Sequence, residues 1–166
     1  MSKPIEYLAP IRYDRDLLSD LISTAMSSEC GFAWWKESDP AAREAAKAAL
    51  IKEGIAEPCV EDVFAEILVE GGTLMLLDPE SDWHWSGHGE GELLWSAQII
   101  AEGCEPIGGN WKVIRLEDIL RGVAEYGEAR VANDCGPSLR KIVESGDFWD
   151  ADAVFQYAAY GDLIYG

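Results

Sequence analysis

Asp82, His84, His88 and Glu90 fall within nine residues, and their side chains are of the types that hold a divalent metal. Histidines at i and i+4 share one ion when the backbone makes a helical turn or folds back on itself. The segment that carries them, Trp83 to Gly91, is rich in glycine, and such a loop does not hold that geometry unaided. The expected state is two solvated loop histidines and no bound metal. Calcium at Asp78, Glu80 and Asp82 fails on spacing, because a twelve-residue calcium loop distributes its oxygens differently.

Nucleophilic catalysis meets a similar limit. With only two histidines in the chain, a Ser-His-Asp or Cys-His arrangement has to recruit His84 or His88 from that same loop. The chain contains no G-x-S-x-G, no G-x-x-x-x-G-K-[ST] and no G-x-G-x-x-G. Gly87-His88-Gly89-Glu90-Gly91 resembles a phosphate cradle in glycine content only: no Lys or helix follows it, and the neighbouring carboxylates repel phosphate. Cys30, Cys59, Cys104 and Cys135 are widely spaced without a C-x-x-C pair, so they are expected to be small buried hydrophobes. These residues point to binding rather than catalysis, with no cofactor.

The charge pattern is more distinctive. From Glu53 to Glu105 the chain carries 13 carboxylates in 53 residues and not one Lys or Arg. The formal net charge of −18 exceeds the roughly 2 to 8 units usual for a small soluble domain. Such a field repels nucleic acid and anionic membrane and attracts basic surfaces. Within it lie Trp83, Trp85 and Trp95, large aromatic side chains of the kind that anchor interfaces.

The elements that must position these groups follow from periodicity. Leu17, Leu18, Leu21, Ile22 and Ala25 predict an amphipathic helix opened by Asp14. Asp39-Pro40 starts a second, alanine-rich helix to Lys52, and Glu57-Pro58 a third, with Val60, Val63, Phe64, Ile67 and Leu68 inward. Glu57, Glu61, Asp62, Glu66 and Glu70 are then its outward positions. Thr73 to Asp78 reads as a buried strand. Leu93 to Ala101 fits strand or short helix, and strand is favoured, paired with Trp111 to Arg115 in a small antiparallel meander. Helices are expected again at Leu116 to Tyr126, Ser138 to Glu144 and from Asp150 to about Gly161. Trp34 and Trp35 cannot share a face of any one element, so at least one is expected to cover a neighbour. The fold class is α+β, a single compact domain over 1–166 with several short helices packed on a small antiparallel sheet, and with 78–110 as a loop or hairpin insertion. No signal peptide and no apolar run long enough to span a membrane is evident, which suggests a cytoplasmic protein.

Several stretches resemble small uncharacterised proteins of bacteriophages and prophages. They are Leu21-Ile22-Ser23-Thr24-Ala25 with Gly31-Phe32-Ala33-Trp34-Trp35, Gly71-Gly72-Thr73-Leu74, Arg115 to Val123, and most closely the C-terminal Asp150-Ala151-Asp152-Ala153-Val154-Phe155-Gln156-Tyr157-Ala158-Ala159-Tyr160-Gly161-Asp162-Leu163-Ile164-Tyr165-Gly166. The resemblance implies a phage or mobile-element origin, hence a bacterial host cytosol, and brings no activity with it. The chain departs from that pattern in a longer acidic and aromatic insertion between Asp78 and Trp111. Phage-encoded small acidic proteins often inhibit host defence, some by imitating the charge of DNA.

The leading expectation is therefore a stoichiometric inhibitor that docks on a basic, nucleic-acid-handling host protein. Its binding surface would comprise Glu57, Glu61, Asp62, Glu66, Glu70, Asp78, Glu80, Asp82, Trp83, Trp85, Glu90 and Glu92. The alternative is a small-ligand binder that sequesters a nucleotide signal, with Trp34, Trp35, Tyr157 and Tyr160 for stacking and Arg115 for phosphate. Arg12, Arg15, Lys112, Arg121, Arg130, Arg140 and Lys141 are the other cations considered for that phosphate. A metal-dependent enzyme is a third reading. Leu163-Ile164-Tyr165 offers an edge for a possible homodimer.

Overall fold

Helix α1 (Arg15–Met26) begins where its cap requires, with the Asp14 carboxylate accepting from the Leu17 N–H at 2.8 Å. Helix α2 (Pro40–Lys52) is capped in the same way by Asp39, with proline at its first position. The computed structural model describes residues 13–27, 31–90, 92–130, 139–145 and 148–164. The lead-in at 7–10, Arg12, Cys30, the break at 133–137 with Cys135, and Tyr165 lie outside the described residues, as do the side chains of Arg130 and Lys141.

Between those helices runs strand β1 (Trp34–Glu37), followed after α2 by α3 (Val60–Val69) and β2 (Leu74–Leu77). The chain then leaves the sheet through β3 (Trp83–Trp85), α4 (Ser96–Glu102) and β4 (Pro106–Gly108), and returns as β5 (Trp111–Ile114). Helices α5 (Leu116–Arg130), α6 (Leu139–Ser145) and α7 (Phe148–Tyr160) complete it. The fold is α+β, a single compact domain in which the helices pack on small antiparallel sheets.

The main sheet has the order β1-β2-β5, all antiparallel, with Trp35 opposite Leu76 and Met75 opposite Val113. Strands β3 and β4 form a separate ribbon in which Trp83 faces Gly108 and Trp85 faces Pro106. Two expectations are corrected here. Residues 96–102 are helix rather than strand, and Trp111 to Ile114 pairs with Leu74 to Leu77 rather than with 93–101. The physical reason is that α4 buries none of its residues, so apolar spacing there reflects no packed face. The meander is accordingly a long two-stranded connection, with residues 78–110 leaving at one strand end and returning at the next.

The core is continuous from Leu18, Leu21 and Ile22 of α1 through Phe64 and Leu68 of α3, Leu74 and Leu76 of β2 and Ile114 of β5 to Val154 and Phe155 of α7. Trp35 enters it from β1 and meets Phe155 edge-on at 4.7 Å, while Trp34 faces the other way. Helix α3 lies between α1 and α2 and against β2, so its burial extends beyond one stripe to Ala65 and Glu66.

That packing overturns the outward placement of Glu66, which is 6% exposed. Its carboxylate accepts from Arg15 Nη1 at 3.1 Å, and the same nitrogen reaches Glu53 at 2.7 Å. Asp62 accepts from the Ser19 hydroxyl and the Cys59 thiol, and these bonds outweigh the burial that would otherwise raise its pKa, leaving it lowered. The acidic stretch has no cation in its own sequence, yet α1 supplies one across the helix interface. Arg15→Ala is expected to cost about 2 kcal/mol, because it strands the Glu66 charge away from water. In urea unfolding, Glu66→Gln added to that variant should recover most of the loss; no recovery would show that the pair does not matter.

Candidate interaction site

The arm at 78–110 is fastened at its neck. The Asp78 N–H donates to the Asn110 carbonyl at 2.9 Å, and the Ser81 hydroxyl donates to the Asp78 carbonyl while accepting from the Asn110 N–H. Gly109 sits at φ +77°, where a Cβ would lie 2.6 Å from Leu77 Cδ1, so both its conformation and its space require glycine. Above the neck Trp85 is buried, its ring edge-on to Trp34 at 5.4 Å and to Trp83 at 5.2 Å. The half-buried Trp83 donates from Nε1 to the Pro79 carbonyl at 3.4 Å. These two tryptophans thus join the arm to β1, while the apolar surface offered to solvent comes from elsewhere.

That surface is on the segment leading into and through α4. Leu93 is 94% exposed, Trp95 83% and Ile100 80%, values normal for charged side chains and costly for apolar ones. Around them the described carboxylates Glu90, Glu92, Glu102 and Glu105 are exposed. Residues 78–110 hold seven carboxylates and no Lys or Arg. Among the described residues no Lys or Arg lies within ion-pair distance of Glu57, Glu61, Glu70, Glu80, Asp82, Glu90 or Glu105.

Beyond the β3–β4 ribbon the arm is clipped by His88. Its Nε2 is 2.7 Å from Glu102 and its Nδ1 3.1 Å from Glu92. These hydrogen bonds, that to Glu102 first, raise the imidazole pKa above its usual 6.5 and lower those of both carboxylates. Gln98 also donates to Glu102, and the Gly89 N–H to Glu92. Cys104 is buried, its thiol 3.6 Å from Glu102, and burial pushes its pKa up. His84, by contrast, is half-buried in the β3–β4 ribbon opposite Ile107. The two histidines therefore do not converge, and the nine-residue set of Asp82, His84, His88 and Glu90 is not one site. Cys59, expected to be buried, is exposed at the start of α3; partial desolvation and the hydrogen bond to Asp62 raise its pKa to about 11.

The residues of the nucleotide reading are only partly brought together. Trp34 and Trp35 line a cavity of about 650 Å³ together with Trp111, Lys36, Arg43 and Glu105. The Lys36 ammonium lies 4.1 Å from the Trp111 ring centroid, and Arg43 pairs with Glu37. Tyr160 stacks on Phe32, a residue of the same wall, but Tyr157 and Arg115 are not among the residues lining it. Sequence reasoning missed Leu93, Ile100, Glu102 and Cys104. The signal that could have found them is the pair Gln98 and Glu102 at helical spacing, followed by Gly103 in the left-handed conformation that ends a helix. No family model, curated protein or solved structure matches this chain.

Proposed function

We propose that this chain is a phage-type accessory protein that works in the bacterial cytosol by stoichiometric binding. Its acidic arm docks on a basic, nucleic-acid-handling host defence protein and blocks the groove that holds nucleic acid. The observation that carries this reading is the pairing of near-fully exposed Leu93, Trp95 and Ile100 with a surround of carboxylates in a segment that holds no Lys or Arg. Apolar anchors inside a charged rim are the anatomy of a protein interface, in which the anchors supply affinity and the rim supplies steering. No helix among the described residues is long and apolar enough to cross a membrane. The net charge of −18 disfavours direct nucleic-acid binding and favours a basic partner.

Reversing the arm carboxylates Glu80, Asp82, Glu90 and Glu105 to lysine tests the reading. Association with the partner captured from host extract should slow by about tenfold or more at low salt, and its dependence on salt should flatten. An unchanged rate and salt slope would remove the electrostatic half of the proposal.

The cavity beside β1 favours a second reading, sequestration of a nucleotide between Trp34 and Trp111 with Lys36 and Arg43 near the phosphate. Native mass spectrometry of protein purified from infected cells would show the bound mass; protein of bare-chain mass would end this reading.

A further inference from the structure

We infer that His88, Glu102 and Cys104 form a zinc site that staples the arm, with Glu92 orienting the histidine from behind. This goes beyond the binding function and is independent of which partner is bound. The three ligand atoms, an imidazole nitrogen, a carboxylate oxygen and a sulfur, all lie within 4.8 Å of one another. Their convergence is built by the fold. The Ser86 N–H donates to the Glu105 carbonyl at 2.8 Å and the Glu105 N–H to the Ser86 hydroxyl at 2.9 Å, which extends the β3–β4 ribbon by one pair and brings the chain at His88 close to Cys104. Gly103, at φ +62°, turns the chain out of α4 between Glu102 and Cys104 and lets both side chains meet the imidazole.

The donor set selects the metal. Nitrogen, oxygen and thiolate sulfur together suit zinc, whereas calcium and magnesium require oxygen alone. A carboxylate on the far ring nitrogen fixes the tautomer with the proton on Nδ1 and leaves Nε2 free for the ion; Glu92, 3.1 Å from Nδ1, stands in that position. On binding, two protons go to solvent: the Cys104 thiol gives up one as the sulfur–metal bond forms, and the one shared in the hydrogen bond between His88 Nε2 and Glu102 leaves as the ion takes its place. The His88 Nε2 to Glu102 contact, 2.7 Å in the hydrogen-bonded arrangement, then opens to the roughly 3.3 Å that two tetrahedral zinc ligands require. A fourth position remains for water. The consequence is structural: α4 has no buried residue of its own, so the ion would hold the segment that displays Leu93, Trp95 and Ile100.

Cobalt(II), titrated into the metal-free full-length protein, reads the site directly. One equivalent should give the visible bands of a tetrahedral ion and a near-ultraviolet sulfur-to-cobalt charge-transfer band, both erased by zinc. Cys104→Ser should abolish the charge-transfer band, and His88→Ala should weaken binding about a hundredfold or more. Glu92→Gln should weaken it by about tenfold, as loss of an orienting carboxylate does. Cys59→Ser should change nothing. Far-ultraviolet circular dichroism of each variant separates ligand loss from unfolding, and cysteine to serine is close to isosteric. Absence of a charge-transfer band in the wild type, its persistence in folded Cys104→Ser, or its loss in Cys59→Ser would each overturn the inference.

Discussion

Replacing Leu93, Trp95 and Ile100 together by alanine is expected to weaken partner capture by about a hundredfold or more while shifting the melting temperature by only about 2 °C or less. The two halves of this expectation have the same cause. Side chains 94%, 83% and 80% exposed contribute almost nothing to the folded state, because they are nearly as wet as in the unfolded chain. On docking they lose that water, and a tryptophan or large aliphatic residue that seats in a pocket commonly carries 2 kcal/mol or more, about thirtyfold in affinity. Trp83 and Trp85 provide the contrast. Truncating Trp85 removes its contacts with Trp34 and Trp83 and should loosen the arm and lower stability together. Unimpaired capture by the triple variant would place the binding surface elsewhere.

The second large effect concerns the scaffold. Gly122 lies within α5, where alanine would ordinarily stabilise a helix by about 1 kcal/mol. Here a Cβ would fall 2.3 Å from the Val154 carbonyl oxygen and 3.2 Å from the Ala158 nitrogen, both backbone atoms of α7. Neither can move without separating the two helices, which also lie together beneath Val123, Val154 and Phe155 of the core. Steric overlap therefore wins over propensity. Gly122→Ala is expected to destabilise by about 3 kcal/mol, a fall of roughly 6 to 12 °C in a chain of this size. Calorimetry decides it, since a rise in melting temperature would mean that α5 and α7 are not in such close approach.

Where the chain repeats a local rule, the fold can be read from it. Asp14 and Asp39 are caps because an oxygen three or two residues before an open N–H is a local matter. The leucines of α1 recur with the helical period because only one face of α1 meets the core. Reading failed where the determining contact is distant in sequence. Glu66 is drawn inward because α1 and α2 enclose α3 and Arg15 arrives from 51 residues away. Strand β5 chose β2 over the nearer 93–101 because Asp78 and Asn110 close the arm at its neck. Trp34 and Trp35 lie on a strand that no alternation announces, since the four residues Trp34 to Glu37 are too short to show a period.

The candidate site divides in the same way. Its charge was plain in composition, since a stretch without Lys or Arg needs no structure to be seen. Its exposed apolar side chains were not. Trp83 and Trp85 look like docking residues in sequence and serve instead to seat the arm on Trp34, while Leu93 and Ile100 look like core and are solvent-exposed. Exposure is a property of what fails to pack nearby, and α4 has no partner element that the sequence could reveal.

The most direct test is competition. With the partner captured from the host and purified, its affinity for nucleic acid is measured while this protein is added up to one equivalent. The wild type should displace the nucleic acid stoichiometrically, displacement should weaken as salt rises, and the Leu93, Trp95 and Ile100 alanine variant should fail to displace it. Simultaneous binding of nucleic acid and this protein to the partner, or equal displacement by the variant, would mean that the arm does not block the nucleic-acid groove.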